Sequence, residues 1–465
     1  MHLRGMIVGK YIGSAAFYRR VLRVMLPIVI QQGITNFVSL LDNIMVGQVG
    51  TEQMSGVAIT NQLLFIFQLC IFGSLSGAGI FCAQYFGKGD QEKIQSVFRY
   101  KIISTALITA LAMTVLWIFQ EPLIRLFLTD TGTGGDLEAT LAYGKTYLRI
   151  MLVGIIPFAV VQLYSSTMRE TGETAVPMEA SVIAVLVNMS LNYVLIFGHF
   201  GAPRLGVAGA AIATAISRFT ELAVILIYTR VRRNKFPYLT GVYRTLRVPA
   251  ALAKDITIKG MPLMLNELMW ALGTTFIVQC YSTRGLDAVA AYNISSTVSN
   301  FFSMAVFAMG TAISILVGQE LGAGEFESAK DTNRKMITFG VMLCLFAAVL
   351  LAVAAPYFPK IYNTSDAVRT LATRLLWLDA AFLTARGIYN NCYFTLRSGG
   401  KTLLTFLFDS VSMWLVNLPV ALLLAHLTGT PLIPMYLIVQ CVDALKTVVG
   451  LMLVKKGIWI QNLAV

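Results

Sequence analysis

VMLPIVIQQGITNFVSLLDNIMVGQVG, residues 24–50, is apolar over more than the length needed to cross a bilayer, which is about 20 residues in a helix. It carries Pro27 near one end and a carboxylate, Asp42, inside the other half. An ionisable group at that depth costs about 2.5–3.5 kcal/mol on insertion scales, so it faces a water-filled cavity or a partner rather than lipid. Proline removes one helix hydrogen bond and lets the segment bend. A span that bends and holds a titratable acid reads as a moving part.

The rest of the chain supports a membrane setting. Its 465 residues are 57% hydrophobic and only 13% charged, with a mean hydropathy of +0.71. Soluble domains are about a quarter charged, so the fold class is an all-α polytopic membrane protein. The formal charge of +13 would suit nucleic acid, but Lys and Arg concentrate in one set of alternate loops and at the two ends. That asymmetry is the positive-inside rule, which argues against a nucleic-acid partner. It makes the chain a multi-pass plasma (inner) membrane protein with both termini cytoplasmic. The six cysteines lie in or beside apolar segments without metal spacing and read as buried free thiols.

Apolar runs fall near 24–48, 57–82, 97–120, 140–167, 175–198 and 207–230, and again near 259–281, 288–317, 334–356, 366–395, 403–427 and 432–454. Twelve transmembrane helices follow. The corresponding domains are an N-terminal interfacial segment 1–23, an N-lobe 24–230, a basic cytoplasmic linker 231–256, a C-lobe 257–456 and a tail 457–465. The two sets of six are copies. Pro27 and Pro262, Gly50 and Gly285, Gln84 and Gln319, Gly87 and Gly322, and Gly89 and Gly324 pair at one constant spacing. Thr167, Arg169, Gly172 and Thr174 pair with Thr395, Arg397, Gly400 and Thr402 at a shorter one, offset by a longer loop around Asp130 to Glu138 in the first half. Six spans per copy is an even number, so the repeat is parallel, with a pseudo-two-fold along the membrane normal; carriers of this kind bind between halves. The charges do not repeat: Asp42 is echoed by Ile277, Glu267 by Gln32 and Asp379 by Met151. The lobes share a scaffold but not a task.

In the first half, Asn188 and Asn192 lie one helical turn apart on the fifth span and Thr214 lies on the sixth. With Asp42 they form an oxygen set suited to Na⁺, or to a proton on Asp42; the competing reading is that the amides and hydroxyl only join helices. In the second half, Asp379 and Arg386 are seven apart on one helix face and either pair structurally or line a substrate path. Asn266, Glu267 and Trp270 follow Pro262, where a carboxylate beside an indole suits an organic cation. Arg218 and Glu221, three apart, satisfy each other. No paired acid and base, metal cluster or phosphate loop indicates an enzyme or ATP use, and no cofactor is expected.

The motifs LDNIMVGQVG at 41–50, AQYFGKGD at 83–90, TMRETGET at 167–174 and GVAGAAIATAIS at 206–217, with second-half echoes GQELGAGE at 318–325 and TLRSGGKT at 395–402, resemble the multidrug and toxic compound extrusion (MATE) family over nearly the whole chain. The resemblance implies two lobes around a central cavity and export of small, cationic, amphipathic compounds in exchange for Na⁺ or H⁺, by a monomer in contact with membrane lipids. It places Asp42, Asn188 and Thr214 in the cation site of the first lobe. Asn192 stands where the DinF-like branch has an Asp, and Trp270 and Arg386 stand where the NorM-like branch has acids, so the chain fits neither branch. A lipid or lipid-linked oligosaccharide flippase of the same superfamily is the alternative. It would need several cavity cations, of which Arg386 is one.

Overall fold

The computed structural model describes residues 10–128, 136–362 and 364–464. Residues 1–9 of the N-terminal segment and most of the loop beginning at Asp130 lie outside them. Among the described residues the long elements are all helices: α1 Ala15–Gly47, α2 Thr51–Lys88, α3 Gln91–Ile118, α4 Leu137–Glu170, α5 Ala175–Phe197, α6 Val207–Val231, α7 Ala250–Ser282, α8 Leu286–Gly322, α9 Phe326–Ala354, α10 Asp366–Ser398, α11 Thr402–His426 and α12 Leu432–Lys455. Ten of these are long and apolar enough by composition to cross a membrane. The order of lengths repeats: α1 to α4 have 33, 38, 28 and 34 residues, and α7 to α10 have 33, 37, 29 and 33.

The repeated motifs are helix endings. Gly89, Gly172, Gly324 and Gly400 all take φ between +73° and +85°, a conformation that glycine enters without steric cost. Each is followed by an amide that reaches back to the last turn: Asp90 to the Tyr85 carbonyl, Glu173 to Met168, Glu325 to Glu320 and Lys401 to Leu396. These are Schellman closures, which satisfy carbonyls the helix itself leaves open. At the other ends, the Asp136 carboxylate accepts from the Ala139 amide and Ser365 from Val368, capping α4 and α10.

Chain contacts divide the molecule into two compact units, one of residues 30–82 and 91–257, the other of residues 1–29, 83–90 and 258–465. The boundary cuts α1 between Val29 and Ile30, just after Pro27. Before the cut, Val21, Val24, Met25 and Ile28 are buried in one apolar cluster with Ala312, Ile313 and Leu316 of α8 and with Trp459. The basic start of α1 is fixed there too, by Arg20 to Glu320 at 2.7 Å. Past the cut, α1 belongs to the first-half unit, whose core gathers Leu64, Phe67, Leu148, Leu152 and Ile196.

The last turn of α2 is likewise held in the second-half unit. A Cβ at Gly87 would stand 1.8 Å from the Gln319 carbonyl oxygen, and one at Gly322 would stand 1.9 Å from that of Gln84. Two repeat-related glycines therefore let two repeat-related helix ends cross backbone to backbone. Gln84 donates to the Ser398 and Gln461 carbonyls and accepts from the Leu463 amide, so the C-terminal tail docks beside the crossing. The 231–256 connector also docks, on the first-half unit, with Phe236, Tyr238 and Val242 buried and Arg99 donating to the Val242 carbonyl. In the short helix after α3, Lys145 and then Arg125 hold the Glu121 carboxyl below its usual range.

Gly87→Ala and Gly322→Ala force this crossing apart, at about 1–3 kcal/mol each as overpacking. Both are expected to lower the unfolding temperature in detergent by several degrees, whereas Gly429→Ala, with nothing within 4 Å, leaves it unchanged. Equal melting of all three would show that the crossing is not tight.

Candidate functional site

The four first-half positions singled out by sequence form one hydrogen-bonded chain. Thr214 donates to the Ala210 carbonyl at 3.0 Å and accepts from Asn188 Nδ2 at 3.2 Å. Asn188 Oδ1 accepts from Asn192 Nδ2 at 3.1 Å, and the same amide donates to Asp42 Oδ1 at 2.6 Å. Of these groups the Asn192 amide donates to the carboxylate, and from Asn192 the remaining donors run the other way, through Asn188 and Thr214 to the Ala210 carbonyl. The periodicity of α5 explains the placement: Asn188 and Asn192 are four apart and share the face turned to α1 and α6. Both are buried.

The amide of Asn192 is fixed by its neighbours, because its nitrogen lies between two acceptor oxygens. Its carbonyl Oδ1 then has no hydrogen-bond partner among the described residues, although it is buried. A buried acceptor left open usually costs about 1–3 kcal/mol. Beside a carboxylate, an open carbonyl is also what a hard cation takes as a ligand. The Tyr147 hydroxyl faces Asp42, Asn61 and Thr214 and encloses the site further.

A second chain, which sequence reading missed, lies nearer Pro27. Gln31 Nε2 donates to Ser181 Oγ at 2.8 Å, Ser181 donates to Glu221 Oε1 at 2.6 Å, and Arg218 NH1 meets Glu221 Oε2 at 3.0 Å. Arg218 also lies 5.2 Å from the Phe158 ring centroid. The Arg218–Glu221 pair is present as its spacing indicates. Its extension to α1 was signalled only by an amide, Gln31, one turn past a proline in an apolar span. Both chains thus tie α1 beyond Pro27 to α5 and α6.

In the second-half unit the acids are drawn into networks across helices. Asp379 is buried and accepts from Ser299 at 2.5 Å, Tyr436 at 2.6 Å and Arg386 at 3.4 Å. Asn266 Nδ2 donates to Asp409 at 2.9 Å, and Asn266 Oδ1 accepts from Ser410 at 2.7 Å. Asp409 also accepts from Tyr389, and Lys446 sits between Asp409 and Asp443. Glu267 receives no hydrogen bond from the described residues; Arg397 and Asp409 are the charges it feels. Trp270 packs, partly buried, against the apolar cluster that holds Ile277, Ala291 and Met413. A pocket opens between α10 and α12, lined by Arg386, Tyr389, Gln440 and Asp443.

Asp409 lies in an unusual stretch. From Leu407 to Asn417, α11 widens into π-helical turns, a rare geometry often met at functional sites. Pro419 lies just beyond; its ring would clash with the carbonyl of Leu415 in a regular α-turn, and the wider winding relieves that clash.

A family model described as MatE matches residues 27–194 and 262–423. The chain is 27% identical over 413 residues to the probable multidrug resistance protein NorM of Thermotoga maritima, covering 87% of this chain and 84% of that protein. It is 26% identical over 380 residues to the probable multidrug resistance protein YoeA of Bacillus subtilis, covering 82% and 80%. Among solved structures, the bent form of the Vibrio cholerae MATE transporter VcmN aligns with a TM-score of 0.82 at 20% identity, over 95% of this chain and 97% of that one.

A second carboxylate at Asn192 would deepen the negative potential around Asp42. Asn192→Asp is expected to show a larger rise in unfolding temperature on adding Na⁺, against choline at equal ionic strength, than the unaltered protein. No change in the Na⁺ response would mean that these oxygens do not receive cations.

Proposed function

The chain belongs to the MatE family of membrane transporters, and from that premise we propose that it is a cation-coupled antiporter, exchanging H⁺ or Na⁺ for small cationic amphipathic compounds by alternating access. The observation that carries this reading is the Asn192 amide donating to Asp42, with the open carbonyl of the same side chain beside it. The proposed setting is a multi-pass plasma membrane protein with both termini cytoplasmic, as the distribution of Lys and Arg favours.

A charged Asp42 holds Asn192 by a charge-assisted hydrogen bond, worth about 1.5–3 kcal/mol against about 0.5–1.5 kcal/mol for a neutral one. A proton or Na⁺ arriving from outside cancels the charge to which Asn192 donates. The grip of α5 on the upper part of α1 weakens, while Gln31 keeps its tie to Ser181. The movement is taken up at Pro27, which offers the helix no amide and lies beside the unit boundary. Ion entry thereby changes the shape of the first-half unit and expels the substrate; the membrane potential adds about 2.3 kcal/mol per charge per 100 mV. Release of the ion to the cytoplasm restores the grip, and the next substrate enters near Glu267, whose carboxylate no described side chain satisfies.

Multidrug resistance relatives support a small-molecule cargo. A flippase for lipids or lipid-linked oligosaccharides would need unpaired cations for phosphates. Arg386 and Lys446 instead stand against Asp379 and Asp443, which favours cationic cargo.

In liposomes carrying the purified protein, a fluorescent organic cation is expected to be driven by an imposed Na⁺ or proton gradient. Asp42→Asn should reduce that movement to the level of empty liposomes. Ion-driven transport at the unaltered rate in Asp42→Asn would remove this mechanism.

A further inference from the structure

The second-half acids are answered by a cation that cannot leave. Lys446 is buried, and its Nζ lies 2.9 Å from Asp443 Oδ1 and 3.8 Å from Asp409 Oδ1. The ammonium also stands 5.6 Å from the centroid of the Tyr389 ring. The carboxylates around it are otherwise built as cation ligands are, with their orientation fixed from neighbouring helices. Asn266 of α7 and Tyr389 of α10 donate to Asp409, and Asn417 of α11 donates to Asp443 at 2.9 Å. Two oriented carboxylates and an aromatic face enclose a single positive charge supplied by α12.

Bare carboxylates this close repel each other, and the buried Asp409 also loses hydration worth several kcal/mol. Without the lysine they would take up a proton or a small cation. A lysine ammonium is a compact point charge with three donors on a flexible stem, so it fills the same electrostatic role. The neighbouring Asp379 is matched separately by Arg386, Ser299 and Tyr436.

We propose that Lys446 is a tethered counter-cation, which keeps the Asp409–Asp443 pair permanently compensated so that this pair binds no coupling ion. On this reading, which rests on Asp42 as the ion site, the exchanged cation bypasses the Asp409–Asp443 pair. The second-half pocket beside Asp443 and Arg386 keeps a fixed charge through the cycle. Its charge does not switch when the ion arrives, so discrimination among cargoes there is set by constant chemistry.

The test measures unfolding temperature of the full-length protein in detergent as Na⁺ replaces choline at fixed pH and ionic strength. All arms carry Asp42→Asn, so the outcome does not depend on whether Asp42 couples transport. Asp42→Asn alone is expected to give no Na⁺ response. Adding Lys446→Gln should create one, adding Asp443→Asn on top should abolish it, and Lys446→Arg in place of Lys446→Gln should give none. A Na⁺ response already present with Lys446 intact and removed by Asp443→Asn would overturn the proposal. So would a folded Lys446→Gln protein that stays indifferent to Na⁺. Should Lys446→Gln fail to fold, Lys446→Met with Asp443→Asn, folding where Lys446→Met alone does not except in high Na⁺, supports it, and folding failure in both regardless of Na⁺ overturns it. Failure of the Asp42 reading shows itself separately, as ion-driven transport that survives Asp42→Asn.

Discussion

The hydrogen bond from Asn192 to Asp42 is the constraint on which the rest depends. There a carboxylate of α1 is held by a neutral amide of α5. Beyond Pro27, α1 meets α5 and α6 through two polar chains: one ends on Asp42 and the other on Glu221. Glu221 is paired with Arg218, whereas in the proposed mechanism Asp42 takes its counter-charge from solution. A difference of about 1–2 kcal/mol between charged and neutral acceptors is small against total stability, yet enough to shift a two-state helix position about tenfold.

The division of labour between halves follows from the same logic. What the halves share is scaffold: matching helix lengths, four glycine closures and a reciprocal crossing at Gly87 and Gly322. These features are set by backbone geometry and so recur. What differs is charge. The first half keeps Asp42, hydrogen-bonded to the neutral amide of Asn192 and within the field of Arg218, while in the second half Arg386 and Lys446 stand against Asp379, Asp409 and Asp443.

Hydropathy and the positions of Gly and Pro made the helices and the repeat legible, because helix length and helix ending are local properties. The Asp42–Asn192–Asn188–Thr214 chain was legible in part, since Asn188 and Asn192 must share a face and an acid at that depth must find polar company. Tertiary choices were not. Nothing local says that α1 up to Val29, or the last turn of α2, packs with the second-half unit. Gln31 finds Ser181 across 150 positions. The pairing of Lys446 with Asp443, three residues away, follows helical spacing, while Asp409 joins it from the π-widened α11, a geometry no periodic pattern announces.

The most direct check on the central claim is a distance between spin labels at Phe37 of α1 and Leu186 of α5, both exposed, with the exposed Cys441 replaced by serine. The account predicts that lowering the pH or adding Na⁺ brings up a second distance population in the otherwise unaltered protein, and that Asp42→Asn shows a distribution indifferent to either. A single distance that ignores both ions while Asp42 is intact would contradict it.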